Sequence, residues 1–407
     1  MSGFDPDAYL DALEPFGWRL GLERMQTLTT ALGLPQHRFA SVHVVGTNGK
    51  SSVTRMTAAL LEAHGLRAGA CLSPHAERWT ERTLIGGEEI GPAEWSAAVA
   101  QVAHAVEGVD RALEEGDSVT QFEAATAATF VALAKARVEV AAVEAGLGGR
   151  LDATNTVPSR VTVLTSIGLD HTEWLGETEL EIAAEKLAVL RDQTTLVLGR
   201  VSPAVEALAE ETAAARGARL LHAPADPGPE IELGVAGAFQ RRNFALARTA
   251  AEAFLGELDP ARVREVAASV RIPGRLERIG AEPPVLIDAA HNPDGAAALA
   301  EALPEASGGR RVVAVLAILA DKDAAAMVRA LAPAVDQAIC TELPGAPRPT
   351  VAAGRLRQLC EEAGLAAEAE PVFRAAVDWG RELALAEPQG ILLITGSHYV
   401  LAPARIG

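Results

Sequence analysis

The chain has 407 residues, of which 49% are hydrophobic, 22% charged and 4% aromatic. At about 150 residues per domain this length implies two or three domains, and the mix excludes a chain disordered throughout. Thirty-six basic against 54 acidic residues leave a formal charge of −18. That balance argues against a general nucleic-acid binder, whose surface must meet phosphate with positive charge.

Three cysteines, Cys71, Cys340 and Cys360, show no paired spacing. They argue against a disulfide framework and for a reducing compartment. The opening segment, MSGFDPDAYLDALEPFG, is acidic and lacks the apolar core of a secretory signal. The longest apolar runs, such as Val312 to Ala320, are too short to span a bilayer. The expectation is a cytoplasmic α/β protein with neither a nucleic-acid nor a membrane partner. Only four lysines (Lys50, Lys135, Lys186, Lys322) and four asparagines (Asn48, Asn155, Asn243, Asn292) remain in the chain. Where a chain so poor in both types keeps them, chemistry is one reason.

In chain order, Val42–Val45 reads as a short strand ending in Gly46-Thr47-Asn48-Gly49, followed by helical periodicity over Ser51–His64 that stops at Gly65. Ala68–Leu72, Val138–Val143, Val161–Ile167 and Thr195–Leu198 are further buried-strand candidates. Ala-rich helical stretches near 93–107 and 122–136 separate them. Strands alternating with helices predict a mostly parallel sheet covered on both faces. The rhythm restarts with strands at Val285–Asp288, Val312–Ala317, Ala338–Thr341 and Ile391–Thr395. Helices are expected at 295–303, 323–332, 351–363 and 372–386. Ile272-Pro273-Gly274 is the expected hinge, dividing the chain into 1–272 and 273–407. Ala223–Glu230 is expected to be a surface loop.

The strongest chemical signal is Gly46-Thr47-Asn48-Gly49-Lys50-Ser51-Ser52. A strand feeding a glycine turn into a helix start makes a phosphate cradle, with backbone N–H groups and the helix dipole facing the anion. Lys50 adds a mobile charge. Val44 stands where the usual phosphate-loop pattern has its first Gly. Glu144, at the end of another strand, opens Glu144-Ala-Gly-Leu-Gly-Gly-Arg-Leu151-Asp152-Ala153-Thr154-Asn155 and is placed to hold Mg²⁺ beside the phosphates. By position alone it is as well read as a solvated loop carboxylate. Ser73 lies just past a strand, where a hydroxyl can complete a metal shell, although by itself the tripeptide Ser73-Pro74-His75 is better read as a plain turn. Asp170 and His171 end a further strand, and Lys186 follows on a helix beside Glu181 and Glu185. A solvated ion pair is the ordinary explanation of such a lysine. Gln240 and Asn243 share a helix face. Arg275, Asp288, His291 and the Asp321-Lys322-Asp323 run put polar groups at strand ends of the second half. A cleft between the domains is the economical expectation.

Taken in order, LGLERM, HVVGTNGKSS, LSPHAERWTER, EAGLGGRLDATN, TSIGLDHTEWLG, PGRLE, DAAHNP, DKD and ITGSHYV resemble the folylpolyglutamate synthase and bifunctional dihydrofolate synthase family, within the Mur ligases. The resemblance runs from about Leu20 to about Pro403. It implies a two-domain α/β fold: an N-terminal P-loop ATPase domain on a mostly parallel sheet and a smaller Rossmann-like C-terminal domain. It further implies that Asn48, Gly49, Lys50, Ser51 and Ser52 hold ATP phosphates. By the same resemblance Ser73 and Glu144 bind a first Mg²⁺, and His171 and a carbamylated Lys186 a second. Asn243, Arg275, Asp288 and His291 match nucleotide contacts. Thr120, Phe122, Leu151, Asp152 and Ala153 match contacts to a pterin substrate. A K⁺ site and a monomeric state are expected on the same ground. Three departures stand out: Ser51 and Ala290 where the family usually has Gly, and Leu-Ala-Val-Leu after Lys186.

The implied reaction is ATP-dependent amide formation between L-glutamate and dihydropteroate, a folate, or both, through an acyl phosphate, with Lys50, Glu144, His171 and Lys186 as the catalytic set. A Mur-type ligase acting on a cell-wall precursor is one alternative, and a P-loop ATPase switch without ligase activity is another.

Overall fold

The computed structural model describes residues 4–14, 21–114, 116–343, 345–386 and 390–405. Leu20, where the family resemblance begins, lies outside them. Two compact units divide the chain, Met1–Glu232 with Arg242–Ala267, and Leu233–Arg241 with Ala268–Gly407.

The first unit is built on eight strands: β1 (Ala40–Val45), β2 (Ala68–Cys71), β3 (Thr83–Ile85), β4 (Glu88–Glu89), β5 (Val140–Glu144), β6 (Ser159–Leu164), β7 (Thr195–Leu198) and β8 (Arg219–His222). Their order across the sheet is β4-β3-β2-β5-β1-β6-β7-β8. Among the described residues only the β2–β3 and β3–β4 pairs of this sheet are antiparallel. β1 is central, pairing in parallel with β5 and β6. It is buried from Ser41 to Val45, so its Val-rich sequence reads as a continuous run, as a strand covered on both faces should. One face packs on the helices Pro92–Asp110 and Gln121–Lys135 through Trp95, Val99, Phe130 and Leu133. The other packs on Glu179–Leu187 and Pro203–Ala215 through Leu187, Val205 and Ala209.

The second unit holds β9 (Glu277–Ala281), β10 (Pro284–Ile287), β11 (Val312–Leu316), β12 (Gln337–Cys340), β13 (Ala367–Ala369) and β14 (Ile391–Thr395), in the order β13-β12-β11-β14-β10-β9. Among the described strands of this sheet only β9 runs antiparallel. Its strands and the helices Pro293–Ser307 and Ala353–Glu362 bury a separate core that includes Leu299, Leu316, Met327 and Leu356.

The expected inner strands and their helices are all present, within a few residues of the sequence boundaries. Ala223–Glu230 forms no strand or helix. Strands β3, β4, β8, β9 and β13 carry no clear pattern in the sequence. They lie at or next to sheet edges, where one partner is enough and little apolar surface is buried. No described helix is long and apolar enough to cross a membrane. Cys71, Cys340 and Cys360 are free thiols, all buried.

Candidate active site

The carboxyl ends of β1, β5 and β6 converge in the first unit, where ligands of an open parallel sheet bind. After β1 the chain turns through Gly46–Gly49 into the helix Lys50–Ala63, whose N-terminus has no side-chain cap. Gly49 has φ +84°, and a Cβ there would stand 2.6 Å from Asn243 Oδ1. The turn needs both glycine's left-handed backbone and its lack of a side chain. Gly46, at φ +148°, meets Thr165 Oγ1 in the same way, at 1.9 Å from a built Cβ. The loop therefore has its tight glycine at Gly46, although Val44 occupies the usual position.

Hydroxyls from the end of β6 brace this loop. Thr165 Oγ1 donates to Asn48 O at 2.6 Å, and Asn48 N–H donates to Ser166 Oγ at 3.1 Å. Thr47 N–H donates to Ser166 O at 2.8 Å, and Gly168 N–H donates to Thr47 Oγ1 at 3.1 Å. Lys50 Nζ donates to Gly46 O (3.2 Å) and Thr47 O (3.1 Å), curled over the cradle. Ser52 Oγ is buried and has no hydrogen-bond partner among the described residues.

Glu144 is the last residue of β5 and only 2% exposed. The Ser51 hydroxyl donates to its Oε1 at 2.8 Å, and Ser73 N–H donates to its Oε2 at 3.1 Å. Three segments far apart in sequence thus meet at one carboxylate. A solvated loop carboxylate is excluded by this burial. An uncapped helix start, glycine turns without room for a side chain and a buried carboxylate flanked by serines fit a phosphate-bound divalent cation, which prefers oxygen donors.

The glycine-rich segment after Glu144 leads from this carboxylate to Lys186. A Cβ on Gly149 would lie 2.8 Å from Glu185 O and 2.9 Å from Lys186 O. Arg150 N–H donates to Glu185 O at 3.0 Å, and Arg150 Nε pairs with Glu185 Oε2 at 2.9 Å. Glu181 is taken up by the capping box with Thr178 at the start of the helix Glu179–Leu187. Lys186 itself is 4% exposed, so the solvated ion pair is not what forms. Burial, with the charge of Lys50 adding, pulls its ammonium down to about 7, against the attraction of Asp170, Asp152 and Glu185.

His171 follows β6 in a left-handed conformation, φ +52°, and starts the short helix Thr172–Leu175. Its N–H donates to Asp170 Oδ1 at 3.0 Å, and its Nε2 lies 3.8 Å from the same oxygen.

Leu151, Asp152 and Ala153 lie on the same segment, with Asp152 and Ala153 buried. Asp152 organises it: Oδ2 accepts from Leu147 N–H at 2.8 Å, and Oδ1 accepts from Thr154 N–H at 3.0 Å and from the Thr154 hydroxyl. Burial pushes its carboxyl above the ordinary range, and these donors oppose that shift. The Thr154 oxygen in turn lies 2.9 Å from Nε2 of His43, buried in mid-β1, so the Nε2 proton points to it. Phe122 packs its ring under the segment, 2.5 Å from where a Cβ on Gly146 would be. Thr120 caps the helix Gln121–Lys135, accepting from Glu123 N–H at 3.3 Å.

Arg275, Asp288 and His291 assemble in the second unit. Asp288 is 3% exposed and accepts from Leu276 N–H (2.9 Å) and Ala290 N–H (2.8 Å). Burial pushes its carboxyl up, and the Arg275 charge opposes this. His291 Nδ1 lies 2.9 Å from Ala289 O, so an Nδ1 proton points to that carbonyl. Asp323 and Asp321 have structural partners: one caps the helix Ala324–Leu331, and the other pairs with Arg348 at 2.5 Å.

Two features were not singled out in sequence, although Arg24 lies within the LGLERM segment. Arg191 donates from Nη2 to Asn155 O (2.5 Å), Asn155 Oδ1 (2.8 Å) and Val157 O (3.2 Å), anchoring the far end of the glycine-rich segment. Arg24 pairs with Glu123 (3.1 Å) and Asp117 (3.4 Å) behind Thr120. Thr165 and Ser166 were visible only as part of the longer TSIGLDHTEWLG segment.

Comparison with known proteins agrees with this architecture. Residues 44–217 match the Mur ligase middle domain, and residues 274–398 the Mur ligase glutamate ligase domain. The chain is 38% identical over 365 residues to the dihydrofolate synthase/folylpolyglutamate synthase of Mycobacterium tuberculosis, covering 80% of this chain and 75% of that one. The structure of Mycobacterium tuberculosis folylpolyglutamate synthase with ADP and AMPPCP superposes with a TM-score of 0.90 at 34% identity, covering 98% and 96% of the two chains. An Escherichia coli enzyme in complex with DHPP and ADP gives 0.84 at 30% identity, covering 98% and 95%. A bifunctional folylpolyglutamate synthase/dihydrofolate synthase with Mn, AMPPNP and L-glutamate gives 0.82 at 30%, covering 98% and 96%. Sequence and fold agree, and the chain belongs to the dihydrofolate synthase/folylpolyglutamate synthase family of Mur ligases.

Proposed function

We propose that this chain is an ATP-dependent ligase that joins L-glutamate in amide linkage to dihydropteroate, to a reduced folate, or to both. The observation that carries this assignment is the meeting of Ser51, Ser73 and Glu144 at one buried carboxylate directly beside the P-loop. The family relationship names the acceptor and donor classes.

A carboxylate is a poor acylating agent. Its oxygen attacks the γ-phosphorus of ATP, ADP leaves, and an acyl phosphate forms. The amine of glutamate then attacks the acyl carbon, loses a proton, and phosphate departs. Lys50 exchanges the Gly46 and Thr47 carbonyls for phosphate oxygens. Asn48, Gly49, Ser51 and Ser52 supply donors at the helix start, with Asn243 held against Gly49. Ser73 and Glu144 are the residues that would hold one divalent cation, and His171 with Lys186 a second. Such cations neutralise charge on the transferred phosphoryl group.

In this assignment Lys186 acts as its carbamate. An ammonium would repel a cation, and a carbamate is an oxygen ligand. Burial favours the uncharged amine that reacts with CO₂. Phe122, Leu151, Asp152 and Ala153 would receive the pterin, with Thr120 behind them. Residues 1–272 take the ATP-binding role and 273–407 the ligase role, in which Arg275, Asp288 and His291 make further nucleotide contacts. A K⁺ requirement belongs to the same assignment.

The test is ADP release by purified protein with ATP, Mg²⁺ and L-glutamate, offering dihydropteroate and tetrahydrofolate separately and weighing the products. Gain of one glutamyl unit by both acceptors establishes bifunctionality, and gain by one assigns a single activity. ADP release independent of any acceptor overturns the proposal.

A further inference from the structure

β1 is a largely aliphatic strand covered on both faces, yet it carries His43 at its middle, wholly buried. An imidazole there costs desolvation that a valine would not. Its Nδ1 has no hydrogen-bond partner among the described residues, so the ring bonds through Nε2, 2.9 Å from Thr154 Oγ1. The Thr154 hydroxyl has one hydrogen, and it donates that hydrogen to Asp152 Oδ1. Thr154 Oγ1 therefore accepts from His43, and the imidazole is the neutral form with its proton on Nε2. Burial, which disfavours the charged ring, acts in the same direction.

At Asp152 this line of hydrogen bonds meets the glycine-rich segment. The carboxylate also accepts Leu147 N–H at 2.8 Å and Thr154 N–H at 3.0 Å, and the Asp152 carbonyl accepts Asn155 N–H at 2.8 Å. Gly146, Gly148 and Gly149 lie in the same stretch. Glycines leave a backbone the most freedom to lose, so the shape of this segment depends on anchors outside it. Arg191 supplies one anchor, through Asn155. His43 supplies another, from the strand that ends in the P-loop, three residues before Gly46.

We propose that His43 is a positioning residue for the acceptor: through the Thr154 hydroxyl it holds Asp152, and with it Leu151 and Ala153, in the shape that receives the pterin. The strand that forms the ATP cradle thereby also sets the acceptor segment beside it. The acceptor role rests on the proposed ligase function; the bridge from His43 through Thr154 to Asp152 does not.

The experiment compares His43→Asn, His43→Gln, Thr154→Val and Thr154→Ser in the full chain with the double variant His43→Asn/Thr154→Val. Gln can place an N–H where His43 Nε2 stands, and Asn is too short to do so. Ser keeps the hydroxyl that Val lacks. Turnover is followed with ATP, Mg²⁺, L-glutamate and whichever of dihydropteroate and tetrahydrofolate the unaltered chain uses. His43→Asn and Thr154→Val should raise the acceptor KM at least about tenfold, the effect of losing one buried hydrogen bond, and leave the KM for ATP unchanged. His43→Gln and Thr154→Ser should recover most of that loss, and the double variant should be no worse than Thr154→Val. A general weakening of β1 would instead strike ATP, whose cradle is nearer to His43 in the chain. An ATP KM that rises as much as the acceptor KM, a His43→Gln variant as impaired as His43→Asn, or additive losses in the double variant overturns the proposal. Amide hydrogen exchange reads the bridge without turnover. In His43→Asn the N–H groups of Leu147, Thr154 and Asn155 should exchange at least about tenfold faster, with Thr47 N–H unchanged. Equal protection of those three amides overturns the bridge. Absence of acceptor-dependent ADP release in the unaltered chain overturns the ligase assignment and the acceptor role together, and exchange alone then decides the bridge.

Discussion

The Ser51 hydroxyl donates to Oε1 of Glu144 at 2.8 Å across 93 residues of sequence. It ties the first turn of the P-loop helix to the end of the neighbouring strand β5. The same carboxylate accepts Ser73 N–H on its other oxygen. One buried anion thereby sets the spacing between the phosphate cradle and its candidate metal ligands.

Replacing Glu144 with Gln keeps the shape and removes the charge. Divalent-cation affinity should fall at least about tenfold, read as the Mn²⁺ concentration needed for half-maximal AMPPNP binding. Ser51→Ala should act more weakly, because it removes a hydrogen bond to the carboxylate and leaves the carboxylate in place. An unchanged Mn²⁺ requirement in Glu144→Gln would remove Glu144 from the metal site.

Gly49→Ala places a Cβ 2.6 Å from Asn243 Oδ1 at φ +84°. The expected cost is about 1–3 kcal/mol, from strain in the cradle and displacement of Asn243. ADP affinity should drop by at least about tenfold, corresponding to 1.4 kcal/mol of that cost. Asn243→Gly in the same chain should recover part of the loss. Full ADP affinity in the single variant would contradict the geometry.

Lys186 is drawn to about 7, so about half is uncharged amine at pH 7, against well under a thousandth for an ordinary lysine. Carbamate formation with dissolved CO₂ should therefore be favoured above pH 7 and fail as pH falls below it, where the ammonium returns. A ¹³C carbamate resonance should appear with ¹³C-bicarbonate and be absent in Lys186→Arg. Activity should drop in CO₂-depleted buffer and return when bicarbonate is added. Full activity in Lys186→Arg would contradict the carbamate.

His43 is wholly buried in β1, and burial pulls its imidazole down to about 3, with the Arg191 charge adding. The folded state therefore keeps it neutral while the unfolded chain protonates near pH 6.5. This contribution is fully present above pH 6.5 and is lost as pH falls from 6.5 toward 3, by about 1.4 kcal/mol per pH unit. In His43→Gln that part of the acid sensitivity should vanish. Urea unfolding of both proteins at pH 7, 6 and 5 measures it, and parallel stability profiles would show that His43 does not titrate as described.

The inner strands, the P-loop and the order of motifs were legible in the amino-acid sequence, because each is local. A β-branched run, a glycine turn and a lysine-serine pair declare themselves within a few residues. Glu144 and Lys186 could be singled out by position and by the scarcity of lysine. Whether they were solvated or buried depended on which elements close over them. Only tertiary structure decided that Ser51, Ser73 and Glu144 share one carboxylate, and that Glu185 turns to Arg150 while Lys186 stays inside. The same holds for the hydroxyls of Thr165 and Ser166, which brace the loop from the end of the neighbouring strand β6, and for Arg191 clamping Asn155. Their physical cause is long-range: hydrogen-bond partners 35 to 118 residues apart are chosen by strand order and register, which local propensity does not encode. The edge strands stayed unread for the same reason, since a strand with one neighbour needs little hydrophobic pattern of its own.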